Sequence, residues 1–129
     1  MPNPVVKWQI VAGDAGAVAA FYKKLFGWTV DAGNALGYRE LRSGEARGID
    51  GGVWPSPTPG HATVQLFIEV DDVAAQLDRA VALGAKVLVP RTVLPDGDVM
   101  ALLVDPAGLP FGIVQQAGQS AQRSTQVPS

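Results

Sequence analysis

The chain has 129 residues, 47% hydrophobic and 17% charged, and its ten basic and twelve acidic residues give a formal net charge of −2. This composition is typical of one globular domain and excludes a disordered chain. The absence of cysteine excludes disulfides and thiolate chemistry. Because the charges are dispersed and no long apolar run occurs, we expect no nucleic-acid partner and no membrane association. The N-terminus shows no signal-peptide pattern, which predicts a cytoplasmic protein.

The first half of the chain is predicted to form a strand, a helix and three further strands. Val6, Trp8 and Ile10 alternate with polar residues, the period of a half-buried strand. Asp14 is a favourable N-cap for a helix with an apolar stripe, and Gly27 suits the left-handed C-cap. Further strands are predicted at residues 28–30, 38–42 and 48–54.

The second half repeats this pattern after a proline-rich linker at residues 55–61. A strand leads to Asp71 or Asp72 as N-cap, the helix ends at Gly84, and strands follow at 86–89, 99–104 and 111–115. The first capping Asp and the closing Gly are 13 residues apart in both copies, which indicates an internal duplication. We therefore predict one domain over residues 1–116, built from module one (4–54) and module two (62–116), followed by a flexible tail at 117–129.

Each module has one helix and too few strands to cover its own sheet, so the two modules are predicted to pair in an α+β fold. Four motifs at these spacings resemble the glyoxalase, bleomycin-resistance and extradiol dioxygenase group, also called the vicinal oxygen chelate superfamily: Phe21–Trp28, Val70–Val73, Leu83–Ala85 and Asp105–Gly108. The resemblance spans residues 4 to 116. It implies two βαβββ modules that form a cupped, mostly antiparallel sheet with the helices outside. In metal-using members, His and Glu side chains from the first and fourth strands of each module hold a divalent ion.

The positions that the resemblance assigns to metal ligands carry poor donors in this chain. The first-strand positions fall on Lys7 and Gln65. The fourth-strand positions fall near Gly48 and on Gly112, and a shift of two residues would replace Gly48 by Asp50. A charged lysine has no lone pair, glycine has no side chain, and a glutamine amide is a poor ligand for transition metals. We therefore expect a member with no metal and no cofactor.

Strand alternation predicts which side chains reach the cup. In the first strand of module two, Val64, Leu66, Ile68 and Val70 are expected to pack on the helices, while the polar side chains of both first strands face the cup. The alternative is that this polar side is a solvated sheet surface. The residues expected to bind a ligand are Lys7, Gln9, Tyr38, Asp50, Trp54, Gln65, Phe67 and Met100.

These features favour a protein that binds a small hydrophobic or aromatic molecule in the cup between the modules. One alternative is a glyoxalase-like lyase or isomerase, dependent on metal if the ligand positions are misassigned. Another is an accessory domain that acts as an assembly partner. The resemblance also implies a homodimer.

Overall fold

The computed structural model describes residues 3–33 and 36–117. In chain order its elements are β1 (Val5–Ala12), α1 (Ala15–Phe26), β2 (Thr29–Asp31), β3 (Arg39–Arg42), β4 (Gly51–Pro55), β5 (Ala62–Glu69), α2 (Val73–Ala82), β6 (Lys86–Val93), β7 (Val99–Val104) and β8 (Pro110–Gln115). The α+β class and the duplicated order of one strand, one helix and three strands are confirmed. Within the described residues, neither helix is long and apolar enough to cross a membrane.

The chain divides into two compact units. The N-terminal unit is Val6–Leu66, and the C-terminal unit is Phe67–Ser129 together with Met1–Val5. The boundary between them lies inside β5. The tail predicted at 117–129 falls outside the described residues from position 118 onward.

In the N-terminal unit the strand order is β2-β3-β4-β1, with the first half of β5 beside β1. β1 and β4 pair in parallel, and the other pairs, β2 with β3 and β3 with β4, are antiparallel. Gln9 lies opposite Gly52 in this register. β4 begins at Gly51, three residues later than the predicted start at residue 48. In the loop before it, the Asp50 carboxylate accepts from the Ser43 backbone N–H at 3.2 Å.

Helix α1 forms where local chemistry favours it. The Asp14 carboxylate accepts from the Ala17 backbone N–H at 3.0 Å, and Gly27 adopts the left-handed conformation with φ of 73°. The helix buries one face against the sheet in a cluster of Ala12, Ala15, Ala19, Leu41 and Val53, with Trp8, Ile10, Val18, Tyr22, Trp28 and Val30 packed against it. The residues of β1 and β4 that alternate with this cluster consequently point away from α1.

The C-terminal unit has the strand order β5-β8-β7-β6, with β5 and β8 parallel and the remaining pairs antiparallel. Asp72 is the N-cap of α2, since its carboxylate accepts from the Ala75 backbone N–H at 3.2 Å. The core between α2 and the sheet consists of Val70, Val73, Val99, Ala101, Leu103 and Ile113. β6 continues beyond its predicted end at residue 89, through two register shifts and Pro90, features that are tolerated on an edge strand.

The predicted packing of β5 is wrong at its start. Val64 and Leu66 are 64% and 51% exposed, whereas Val70, the residue just after the strand, is 3% exposed. Beside Val64, a groove of about 580 Å³ opens between β5 and α1. Alternation predicted correctly that these residues share a face, but it carries no information on how far a helix extends over that face.

Candidate functional site

One side of the N-terminal unit collects most of the predicted ligand-binding residues. It is the side of the sheet that points away from α1, since Trp8, Ile10 and Val53 pack against the helix. β1, β4, β5 and the segment just before β3 each contribute to it. We call it the polar sheet face, and its residues are Lys7, Gln9, Tyr38, Gly52, Trp54 and Gln65.

An aromatic pair forms one end of the polar sheet face. The ring centroids of Tyr38 and Trp54 are 4.5 Å apart, with 35° between the ring planes. The Tyr38 ring lies over the backbone of Gly52, where a Cβ atom would be 2.1 Å from the Tyr38 hydroxyl oxygen and 2.2 Å from Cζ. Only glycine leaves room for this arrangement. The sequence reasoning did not include Gly52 in the site, although the Gly51-Gly52 pair inside a predicted strand is the signal for close packing.

The protonation state of Tyr38 follows from its surroundings. Burial raises the pKa of the Tyr38 hydroxyl to about 12, and the nearby Glu40 carboxylate adds to the increase. Both effects disfavour the phenolate. At neutral pH Tyr38 therefore carries its proton and interacts through a neutral hydroxyl group, not as a base.

Two carboxamides form the middle of the polar sheet face. Gln9 and Gln65 are 2% and 5% exposed, which is unusual for polar side chains of this length. Among the described residues, the Gln65 Oε1 atom has no hydrogen-bond partner, although it is buried. Lys7, on the same face of β1, is half-buried.

The other predicted site residues lie elsewhere. Asp50 is exposed in the loop before β4, where its carboxylate closes the turn to Ser43. Phe67 and Met100 belong to the C-terminal unit and are 1% and 8% exposed. The Phe67 ring packs on Gly112, where a Cβ atom would be 2.5 Å from Cζ. A ligand reaches these two side chains, like the equally buried Gln9 and Gln65, only if their surroundings move.

The side chains present do not fit the divalent metal centre that the superfamily resemblance implies. The observed register puts Gly52, rather than Gly48, at the fourth-strand position opposite β1, and Gly112 occupies its counterpart on β8. The first-strand positions carry the amine of Lys7 and the amide of Gln65. Within residues 3–33 and 36–117, no group of three His, Cys, Asp or Glu residues is placed to hold a metal ion. A tight site needs three or four such ligands at about 2 Å.

The groove beside α1 is a competing place for an apolar ligand. It is lined by Ile10, Ala12, Ala17, Val18, Phe21, Tyr22, Ala62, Thr63 and Val64. Tyr22 and Thr63 are the only members of this lining with a polar side-chain atom. Binding sites for small molecules combine apolar walls with a few polar groups that orient the ligand. By this criterion the polar sheet face is the better candidate.

Comparison with known proteins agrees with this architecture. A sequence model described as a glyoxalase-like domain matches residues 8–114. The proteins called putative glyoxylase CFP32 in Mycobacterium bovis and Mycobacterium tuberculosis are 31% identical over 108 residues, or 79% of this chain. The match covers 41% of those relatives, so the chain spans about two fifths of their length.

Solved structures resemble the fold at low sequence identity. Methylmalonyl-CoA epimerase of Streptomyces coelicolor superposes with a TM-score of 0.60 at 16% identity, covering 91% of this chain and 99% of the epimerase. A hypothetical protein of Bacillus halodurans gives a TM-score of 0.63 at 13% identity, with 88% and 94% coverage. At these identities the likeness concerns the fold alone.

Proposed function

This chain belongs to the family of glyoxalase-like domains, and we propose that it binds a small hydrophobic or aromatic molecule on the polar sheet face without using a metal ion. The observation that carries the proposal is the Tyr38–Trp54 pair, with ring centroids 4.5 Å apart, on the same face as two buried carboxamides. Aromatic area supplies binding free energy, and the carboxamides supply orientation.

Three residues of the face have distinct parts in this proposal. Trp54 and Tyr38 present ring surface on which a planar molecule stacks. Gly52 keeps the space above β4 free for the Tyr38 ring. Because Tyr38 stays protonated at neutral pH, it is suited to bind neutral groups and not to abstract a proton. The face therefore supports binding, and we derive no chemical step from it.

The test is a binding assay with paired variants. Planar aromatic compounds are screened by thermal shift, and the dissociation constants of the hits are measured by calorimetry. Trp54→Ala is expected to weaken binding at least about tenfold, which corresponds to about 1.4 kcal/mol. Phe21→Ala removes an aromatic ring that is 56% exposed on α1, on the other side of the sheet, and is expected to leave affinity unchanged. Loss of binding in Phe21→Ala, with Trp54→Ala unaffected, would place the ligand in the groove.

A separate measurement tests whether ligand binding requires a metal ion. Binding of the same hits is expected to be unchanged, within about twofold (about 0.4 kcal/mol), after treatment with a chelator and after addition of divalent cations. Elemental analysis of protein purified without chelator gives the independent check. A stoichiometric transition metal in that protein would contradict the proposal.

A second candidate is a glyoxalase-like lyase or isomerase, which the name of the mycobacterial relatives favours. It is tested by turnover of adducts between 2-oxoaldehydes and thiols, with and without added divalent metal. Turnover that depends on the metal and is lost in Gln65→Met would replace the binding proposal. Binding of aromatic molecules without any turnover would support the binding proposal.

A further inference from the structure

The Oε1 atom of Gln65 is an acceptor that no donor of the described residues reaches. Gln65 is 5% exposed, and its Oε1 has no hydrogen-bond partner among the residues that the structure describes. The great majority of buried polar groups in folded proteins are hydrogen-bonded, and burying a carbonyl without a partner costs stability. An exception of this kind calls for an explanation, and a bound ligand group is one.

Gln115 shows the contrasting arrangement in the same chain. Its Oε1 accepts from the Val73 backbone N–H at 3.2 Å, in the first turn of α2. That carboxamide satisfies one of the N–H groups that a helix start leaves open. The two glutamines therefore differ in the hydrogen bonding of their side-chain oxygens. The oxygen of Gln115 accepts from a backbone N–H, and that of Gln65 accepts from none of the described residues.

The orientation of Gln65 places its side chain on the polar sheet face. Val64 and Leu66, its neighbours in β5, are exposed, and Val64 lines the groove on the α1 side. Alternation then directs Gln65 to the opposite side of the sheet, with Gln9 of the adjacent strand β1. The aromatic residue Trp54 lies on β4, two strands from β5 in the order β4-β1-β5.

We infer, on the basis of the proposed function, that the ligand presents an N–H or O–H donor to the Gln65 Oε1, so that the site selects aromatic molecules with such a donor over analogues without it. Neighbouring strands are about 4.8 Å apart, so Trp54 and Gln65 are separated by on the order of 10 Å across the sheet. The ligand is accordingly an aromatic molecule with its donor several ångströms from the ring that contacts Trp54.

The experiment compares probes that differ only in the donor. 2-Naphthol and naphthalene-2-carboxamide carry one, whereas 2-methoxynaphthalene and N,N-dimethylnaphthalene-2-carboxamide do not. With the unmodified protein, we expect the donor-bearing member of each pair to bind at least about tenfold more tightly, because its analogue leaves the buried oxygen unpaired. Calorimetry or tryptophan fluorescence gives the dissociation constants.

Two variants assign the preference to one atom. Gln65→Met keeps the length of the side chain and removes the acceptor, and it is expected to reduce the ratio of affinities to about one. Gln115→Met is the matched control and is expected to leave the ratio unchanged. In the absence of any ligand, Gln115→Met is expected to lower the melting temperature by a few degrees, because it loses the bond from the Val73 N–H.

The outcomes separate this inference from the proposed function. If both members of each pair bind equally, or the analogue binds better, the inference is wrong and the proposed aromatic site stands. If none of the four probes binds, the proposed function fails and the inference falls with it. If Gln65→Met retains the preference, the Oε1 of Gln65 is not a ligand acceptor.

Discussion

Replacing the glycines around β4 tests the packing on which the polar sheet face depends. In Gly52→Ala, the new Cβ atom would lie 2.1 Å from the Tyr38 hydroxyl oxygen, whereas ordinary contact begins at 3.4 Å. The Tyr38 ring must therefore move by at least about 1.3 Å, the difference between these two distances. β4 is held between β1 and β3, so the ring moves rather than the strand.

The expected loss of stability in Gly52→Ala follows from the contact that the Tyr38 ring loses. Displacing Tyr38 breaks its contact with Trp54, and aromatic pairs are worth about 0.5–1.5 kcal/mol beyond burial. We expect Gly52→Ala to lower the free energy of unfolding by about this amount. Gly51→Ala is expected to cost more, about 3 kcal/mol, because its Cβ atom would lie 2.3 Å from the backbone oxygen of Trp8, which cannot rotate away.

Urea unfolding followed by circular dichroism measures both effects. Gly48→Ala is the control, since its Cβ atom would meet nothing closer than the Ser43 hydroxyl at 3.9 Å, and it is expected to be neutral or stabilising by about 0.4–1 kcal/mol. Near-ultraviolet dichroism should change in Gly52→Ala, because Tyr38 leaves Trp54. The reasoning is refuted if Gly52→Ala is as stable as Gly48→Ala and its aromatic spectrum is unchanged.

Three further predictions use single contacts. The pKa of Tyr38 is raised from 10.0 to about 12 in the folded protein, so the unfolded chain loses this proton first and stability falls as pH rises from 10 to 12. Tyr38→Phe should show a shallower loss in that range when unfolding is measured against pH. Gly112→Ala should lower the free energy of unfolding, measured in urea, by about 1–3 kcal/mol, because the new Cβ atom meets the Phe67 ring, which is 1% exposed. A change below about 0.5 kcal/mol would contradict this packing. Asp14→Ala should cost about 1 kcal/mol of stability by losing the 3.0 Å bond from the Ala17 N–H, and Asp14→Asn should recover most of it.

The elements of the fold could be predicted because their signals are local. Asp14 and Gly27 are the N-cap and C-cap of α1, as expected from capping chemistry. The structure shows the hydrogen bond to the Asp14 carboxylate and the left-handed conformation of Gly27. Pattern alone left Asp71 and Asp72 as alternatives for the second helix, and the bond from the Ala75 N–H selects Asp72. The start of β4 was misplaced because its first residue, Gly51, is set by pairing with Trp8 and Leu41 on strands distant in the chain.

The candidate site was predictable only in part. Alternation along β1 correctly assigned Gln9 to the side opposite Trp8 and Ile10, since side-chain direction has a period of two. It could not show that Gly52 lies opposite Gln9 or that the Tyr38 ring covers that glycine. Nor could it show that Gln65 is buried with an oxygen that has no partner in residues 3–33 and 36–117, because that depends on which groups the neighbouring strands bring near it.

The duplicated strand and helix order and the helix caps can be read from the sequence, because each depends on residue type within a few neighbouring positions. The tertiary structure alone decided the register of β4 against β1, the stacking of Tyr38 on Trp54, and the exposure of Val64. These properties arise where segments distant in the chain meet. Pairing across strands and coverage by a helix depend on how the whole chain packs, which local periodicity does not encode.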